Sequence, residues 1–347
     1  MSHVLIVTGN RYSIKEVAKT VGFVLEQNGY QVTIVSNVSY INPRREKIDR
    51  YIVIYPYYPL FNQPHIWMAY HFSVQAGIPG LYYAMTEGVP KAQLLNPCHR
   101  RYDGVFTVSV YAKYLISRVG IPVQGVIPHG FPDFLEVTVI ELSAKYRQKI
   151  VRDFGDKIIL GAIADKLPRK NADGLIEALK LLASRRNDYV VLVETDPDLA
   201  PKFDNIPNAY IIGATGEQTH QEVLGFLGSV DAYIAPSFAE AFGLTVLEAN
   251  YLGTPVVAPS LPPYKEYASD SNYFFEPEEV VEEDSREGVV MYLHKYSAKT
   301  LADQIEYAID EIKNNRDSYQ NRKIKVKEKV EPFKASVIYR EFIKIIK

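Results

Sequence analysis

The chain's 347 residues are 47% apolar and 23% charged, enough for two domains of ordinary size with a core each, and too apolar for disorder. One cysteine, Cys98, excludes an internal disulfide framework, no apolar run is long enough to span a bilayer, and residues 1–7 enter a strand without a secretory pattern, so a cytoplasmic protein is expected. The net charge of −2 is unevenly spread: the first 150 residues carry 15 Lys and Arg against 9 Asp and Glu, the remainder 24 against 32.

Residues 3–8 form an apolar strand-like run. Residues 14–27 place Val17, Val21, Val24 and Leu25 at helical spacing and stop at Asn28-Gly29, a helix-ending pair. Strands are expected over 31–36, 51–55, 80–85 and 104–108, then a helix over 112–119 and a strand over 123–127. Basic clusters at Arg44, Arg45, Lys47 and Arg50 and at His99, Arg100 and Arg101 suit a solvated surface or peripheral contact with something anionic, such as lipid headgroups or nucleic acid. Trp67 and the tyrosines around it suit packing or stacking on a ring. Residues 128–155 look less regular.

The alternation then resumes, with strands over 157–164, 189–194, 208–213, 231–235 and 255–258 and helices over 172–184, 218–227 and 244–251. The acidic segment 276–287 reads as a solvated excursion, lacking the glycine-centred spacing of a cation loop. A helix over 298–313, a charged stretch over 315–329 and a break at Pro332 precede an amphipathic end carrying Val337, Ile338, Phe342, Ile345 and Ile346. This order argues for an α/β chain of helix-covered parallel sheets, with units over 1–150 and 151–330 and a terminal segment over 331–347.

The densest chemical signal runs from Pro236 to Ala249. Glu240 and Glu248 bracket a turn at Gly243 that opens a helix. With a helix starting near Phe242, its first N–H groups are unpaired and form a seat for phosphate. The two carboxylates lie roughly 10 Å apart at a rise of about 1.5 Å per residue. That span suits a diphosphate with a hydroxyl-rich group at either end, as in a nucleotide sugar.

The stretch resembles the Glu-x7-Glu motif of retaining glycosyltransferases with the GT-B fold, the family 4 or group 1 glycosyl transferases. Residues 229–237 resemble that family's approach strand, and Leu252-Gly253-Thr254-Pro255-Val256-Val257 its exit. The resemblance implies two Rossmann-like doubly wound domains facing across a cleft, an acceptor domain and then a donor domain, with the last helix crossing back. It implies sugar transfer from a nucleotide sugar to an acceptor (lipid, glycan, protein or small molecule), with retention, no cofactor and no essential metal.

By the same resemblance, Glu240 holds the hydroxyls of the transferred sugar and Glu248 the ribose. The backbone N–H groups of Phe242, Gly243, Leu244 and Thr245 meet the diphosphate. Leu167-Pro168-Arg169-Lys170-Asn171 resembles the family's phosphate-binding loop, giving Lys170 the phosphate contact with Arg169 as helper. The arginine usually found upstream corresponds to Ala164, so Lys166 or Arg169 must compensate.

Glu87 stands where relatives carry a histidine. It is a candidate to bind sugar or take the acceptor's proton, or else to cap a helix. His129 replaces an asparagine at the hinge-like Val126-Ile127-Pro128-His129-Gly130, and the base is expected near residues 212–214. Two other readings stay open: an isomerase on this scaffold, such as a nucleotide-sugar 2-epimerase, or a non-catalytic protein binding a nucleotide sugar or nucleic acid.

Overall fold

The computed structural model describes residues 2–36, 41, 45–57, 68–95, 97 and 101–347. Arg44, Trp67, Cys98, His99 and Arg100 lie outside the described residues. Apolar runs buried along nearly their whole length become central parallel strands, as expected where helices cover both faces. The first sheet contains β1 (His3–Thr8), β2 (Gln31–Val35), β3 (Arg50–Pro56) and β4 (Gly80–Met85), followed later in the chain by two further strands. A short β5 (Gly88–Pro90) leaves this sheet, and β6 (Gly104–Thr107) and β7 (Gly125–Val126) complete it in the order β2-β1-β3-β4-β6-β7.

The second sheet contains β8 (Ile158–Ala164), β9 (Tyr189–Thr195), β10 (Ala209–Ala214), β11 (Ala232–Ile234), β12 (Val256–Pro259) and β13 (Tyr273–Phe275). Its order is β10-β9-β8-β11-β12-β13, and every pair in both sheets is parallel.

The first-domain helices are α1 (Tyr12–Gln27) and α2 (Val110–Ser117), the latter capped by Ser109, whose Oγ accepts from Ala112 N–H. The expected irregular stretch 128–155 is instead largely a helix, α3 (Glu136–Phe154). Only Val139 and Ile150 are buried along it, so its apolar periodicity is faint. It packs on α5 (His220–Ser229) because Gly225 admits Leu142, whose Cβ would sit 2.9 Å from any Cβ placed there. The boundary expected at residue 150 falls inside α3.

The longer of the remaining second-domain helices are α4 (Ala172–Ala183), α6 (Leu244–Tyr251), α7 (Ala298–Asn314) and α8 (Arg316–Val330), the last formed by the charged stretch. The terminal segment forms two short helices, Ala335–Ile338 and Arg340–Ile346. It lies on the first domain: Phe342 packs edge-on against Tyr83, and Arg50 Nε donates to Ile346 O.

The acidic segment is largely solvated, as expected, but it is also an ordered strand. It contributes β14 (Glu279–Asp284), which forms a hairpin with β15 (Val289–Lys295), and β15 pairs antiparallel with β5. Lys91 meets Asp284 at 2.9 Å, so acidic groups in this hairpin face basic ones of the first domain. Nearby, Ser109 Oγ donates to Ala241 O at 2.7 Å, and the Glu266 carboxylate accepts from Val110 and Tyr111 N–H. The domains are thus joined directly by backbone and side chain. No helix among the described residues is long and apolar enough to cross a membrane.

Candidate active site

The carboxyl ends of both sheets face a cleft of about 530 Å³. In the second sheet the strand order reverses between β8 and β11, so the loops leaving these strands lie side by side at the crevice. The first carries Arg169 and Lys170, the second Ser237 and Glu240. Asn171 closes the first loop with φ 55° and caps α4 through Gly174 N–H. Its amide donates to Tyr296 Oη, which donates to Pro236 O, while Phe238 N–H donates to Arg169 O at 2.7 Å. These bonds fasten the two loops to each other.

A chain of alternating charges runs through them. Lys170 Nζ donates to Glu240 Oε1 at 2.5 Å, and Ser237 Oγ donates to the same oxygen at 2.7 Å. Arg169 lies 3.5 Å from the other oxygen of Glu240, donates to Ala239 O, and holds Glu87 Oε1 at 2.7 Å. Burial pushes the Glu240 carboxyl up, but Lys170, Arg169 and Ser237 outweigh it and hold it below the usual carboxylate range. Glu240 is therefore ionised. Glu87, offered by the sequence as a sugar ligand or proton acceptor, is buried and ion-paired to Arg169.

The helix spans Leu244–Tyr251 as the 244–251 expectation has it, two residues later than the start near Phe242 assumed for the phosphate seat. Gly243 is the reason. It adopts φ 92°, a conformation that favours glycine, and a Cβ there would come 2.2 Å from the Tyr264 ring. Val246 and Leu247 N–H donate back to Gly243 O, leaving Leu244 and Thr245 as the leading helical N–H groups. Phe242 anchors the turn instead: its ring stacks on Tyr267, whose hydroxyl lies in hydrogen-bond reach of the Phe242 and Gly243 carbonyls.

Glu248, 2% exposed, bonds His220 Nε2 at 2.6 Å, and His220 Nδ1 lies 3.8 Å from Glu16 of α1. Burial pulls the imidazole pKa down, but Glu248 and Glu16 together raise it above the ordinary histidine value. Glu16, His220 and Glu248 thus link the two domains. His129 lines the cleft with burial lowering its pKa to about 3, so it is neutral. Tyr83 Oη gives its one hydrogen to Ile127 O, which makes His129 Nδ1 the donor to Tyr83.

Glu87, Arg169, Lys170, Glu240, Phe242, Gly243, Leu244, Thr245 and Glu248 all line this one cleft. So do Arg11, Tyr12 and Ser13 after β1, and Thr215 and Gly216 just beyond the strand end expected to hold the base. Sequence reasoning missed Glu16, Glu194, His220 and Ser237. For His220 a signal existed: Thr219-His220-Gln221-Glu222 is a capping box, which puts His220 at the first turn of α5. Lys166, the other candidate to compensate for Ala164, is paired with Asp196 and Asp198.

A family model described as "Glycosyl transferases group 1" matches residues 144–325. The uncharacterized glycosyltransferase 335 of Sulfolobus islandicus rod-shaped virus 1 is 26% identical over 97% of this chain and 98% of its own. The D-inositol 3-phosphate glycosyltransferase of an Arthrobacter strain is 26% identical, over 56% of this chain and 52% of its own. Among solved structures, a glycosyltransferase from Rickettsia africae superposes with a TM-score of 0.74 at 16% identity, over 100% of this chain and 98% of its own. HepE from Anabaena, in complex with UDP and glucose, gives 0.70 at 13% identity, over 100% and 99%. These structures share the fold: two Rossmann-like domains in the GT-B arrangement.

Proposed function

Because the chain belongs to the glycosyl transferases group 1 family, we propose that it transfers a sugar from a nucleotide sugar to an acceptor held against the first domain, with retention and without an essential metal. The observation that carries this reading is the buried, ionised Glu240 clasped by Lys170 and Arg169, beside the leading N–H groups of Leu244 and Thr245. Breaking the anomeric C–O bond leaves a diphosphate whose charge grows in the transition state. Lys170 and the start of α6 are fixed positive partners for it, and held in place they need little reorganisation. Glu240 accepts from the sugar's hydroxyls and Glu248 from the ribose.

Both carboxylates nearest the phosphate loop, Glu240 and Glu87, are engaged by cations, and Glu240, held below the usual carboxylate range, is a weak base. The oxygen best able to take the acceptor's proton is then one on the departing phosphate. That oxygen lies on the leaving-group face, so the acceptor enters where the nucleotide leaves and configuration is retained. The HepE complex with UDP and glucose supports the donor class.

The test is release of free nucleotide from a panel of UDP-, GDP- and ADP-sugars. The parent protein should release it slowly with water as acceptor, and Glu240→Gln should abolish release while keeping a cooperative thermal transition. Undiminished release by that variant rejects the assignment. Interconversion of donors with no nucleotide set free would identify an isomerase instead.

A further inference from the structure

One carboxylate in the cleft has no task in that reaction. Glu194, at the carboxyl end of β9, is 2% exposed, lines the cleft, and its Oε2 has no hydrogen-bond partner. Two hydroxyls lining the same cleft, Thr215 Oγ1 and Tyr12 Oη, are likewise buried and unpartnered. Thr215 is held beside the end of β9 by its N–H bond to Thr195 O at 3.0 Å. Buried polar atoms are nearly always bonded, so three unpaired ones in one cleft need an explanation, and a ligand that supplies the bonds is one. Glu16, Glu194 and Glu248 all act on the Tyr12 hydroxyl, which places Glu194 on the side of the cleft that Tyr12 faces.

Building on the nucleotide-sugar reading, we propose that Glu194 selects the donor's nucleobase. Its Oε2 accepts from the ring N–H of a lactam base, uracil N3–H or guanine N1–H, while Thr215 Oγ1 donates to the adjoining carbonyl. Cytosine and adenine present a bare ring nitrogen at that edge, and its lone pair opposes the carboxylate. Burial lifts the Glu194 carboxyl to about 7 against the pull of the Gly216 N–H. Tyr12 from α1 and Tyr233 from β11 are the titratable groups that feel its charge. Asp196 and Lys166 at the same sheet edge are paired with each other. Ionised, Glu194 can only accept; protonated, its O–H can also donate to a bare ring nitrogen, so the preference is complete above about pH 7 and fades as pH falls through that value.

Calorimetric titration of the full chain with UDP, GDP, CDP and ADP tests this. Glu194→Met should weaken UDP or GDP about ten- to hundredfold and change CDP and ADP by less than about twofold. Whichever of UDP and GDP binds tighter identifies the base. Equal losses for all four nucleotides, or no loss, overturn the proposal and leave Glu194 a structural acid. Should that variant not fold, the parent's ratio of UDP to CDP affinity decides, since the diphosphate's own titration cancels in it. The ratio should fall as pH drops through about 7; a flat ratio overturns the proposal. Failure of the parent to bind any of the four overturns the donor reading itself, a distinct result.

Discussion

The second domain's wall of the cleft is a bonded frame, whereas the first domain's wall is a set of separate side chains. On the second wall, Arg169, Lys170, Ser237 and Glu240 share hydrogen bonds, and Tyr264 and Tyr267 fix the turn ahead of α6. On the first, Arg11, Tyr12, Glu16, Glu87 and His129 come from scattered strand and helix ends, and both Glu16 and Glu87 face partners across the divide. A diphosphate, the ligand proposed for that half, would need fixed charge, which such a frame supplies. The opposite half orders its carboxylates largely by borrowing cations from its neighbour.

Removing the cation both walls share should break this comparison most severely. Arg169→Met takes the shared guanidinium from the buried Glu87 and Glu240 carboxylates while leaving Lys170 on Glu240, an expected loss of about 3–5 kcal/mol in denaturant unfolding. The parent's dependence on acid sharpens the point. Glu240's folded pKa is depressed, so its contribution is complete above the ordinary carboxylate value and is lost as pH falls through the lower folded one. A variant as stable as the parent would show the frame to be incidental.

A smaller effect is expected at the turn of the rigid wall alone. Gly243→Ala places a side chain at φ 92° against Tyr264, costing about 1–3 kcal/mol from the backbone. Donor affinity should fall with it, and unchanged nucleotide binding would argue that the start of α6 carries no phosphate.

The least disturbance should come from the bridge at His220. Its raised pKa means the stability from Glu16–His220–Glu248 is present below the ordinary histidine value and lost as pH rises through the higher folded one. His220→Gln should cost about 1 kcal/mol at mildly acidic pH and flatten that slope. A slope unaltered by the substitution would mean that another group is titrating.

Part of the second half was legible because some of its candidate residues follow a short apolar strand and sit in a motif of contiguous residues. Lys170, Glu240 and Gly243 could be placed from neighbours in the chain. Glu16, Glu194 and Ser237 could not: Glu16 and Glu194 look like ordinary members of a helix and a strand, and all three matter through what folding brings beside them. Helix α3 escaped because a helix resting on another across small residues needs few apolar positions. The hairpin of β14 and β15 escaped because its acidic edge strand is solvated on most of its residues, and its pairing with β5 joins segments far apart in sequence.

That pairing also limits how the two domains could part. Gly88–Pro90 is laddered to Val289–Met291, and Lys91 N–H extends the ladder to Gly288 O. A movement that spares these bonds has to swing around them as an axle, with the far rim travelling through the widest arc. In such a movement Glu87, next to that axle, would keep its grip on Arg169 after Glu16 had parted from His220, and the jaw would come apart from one side.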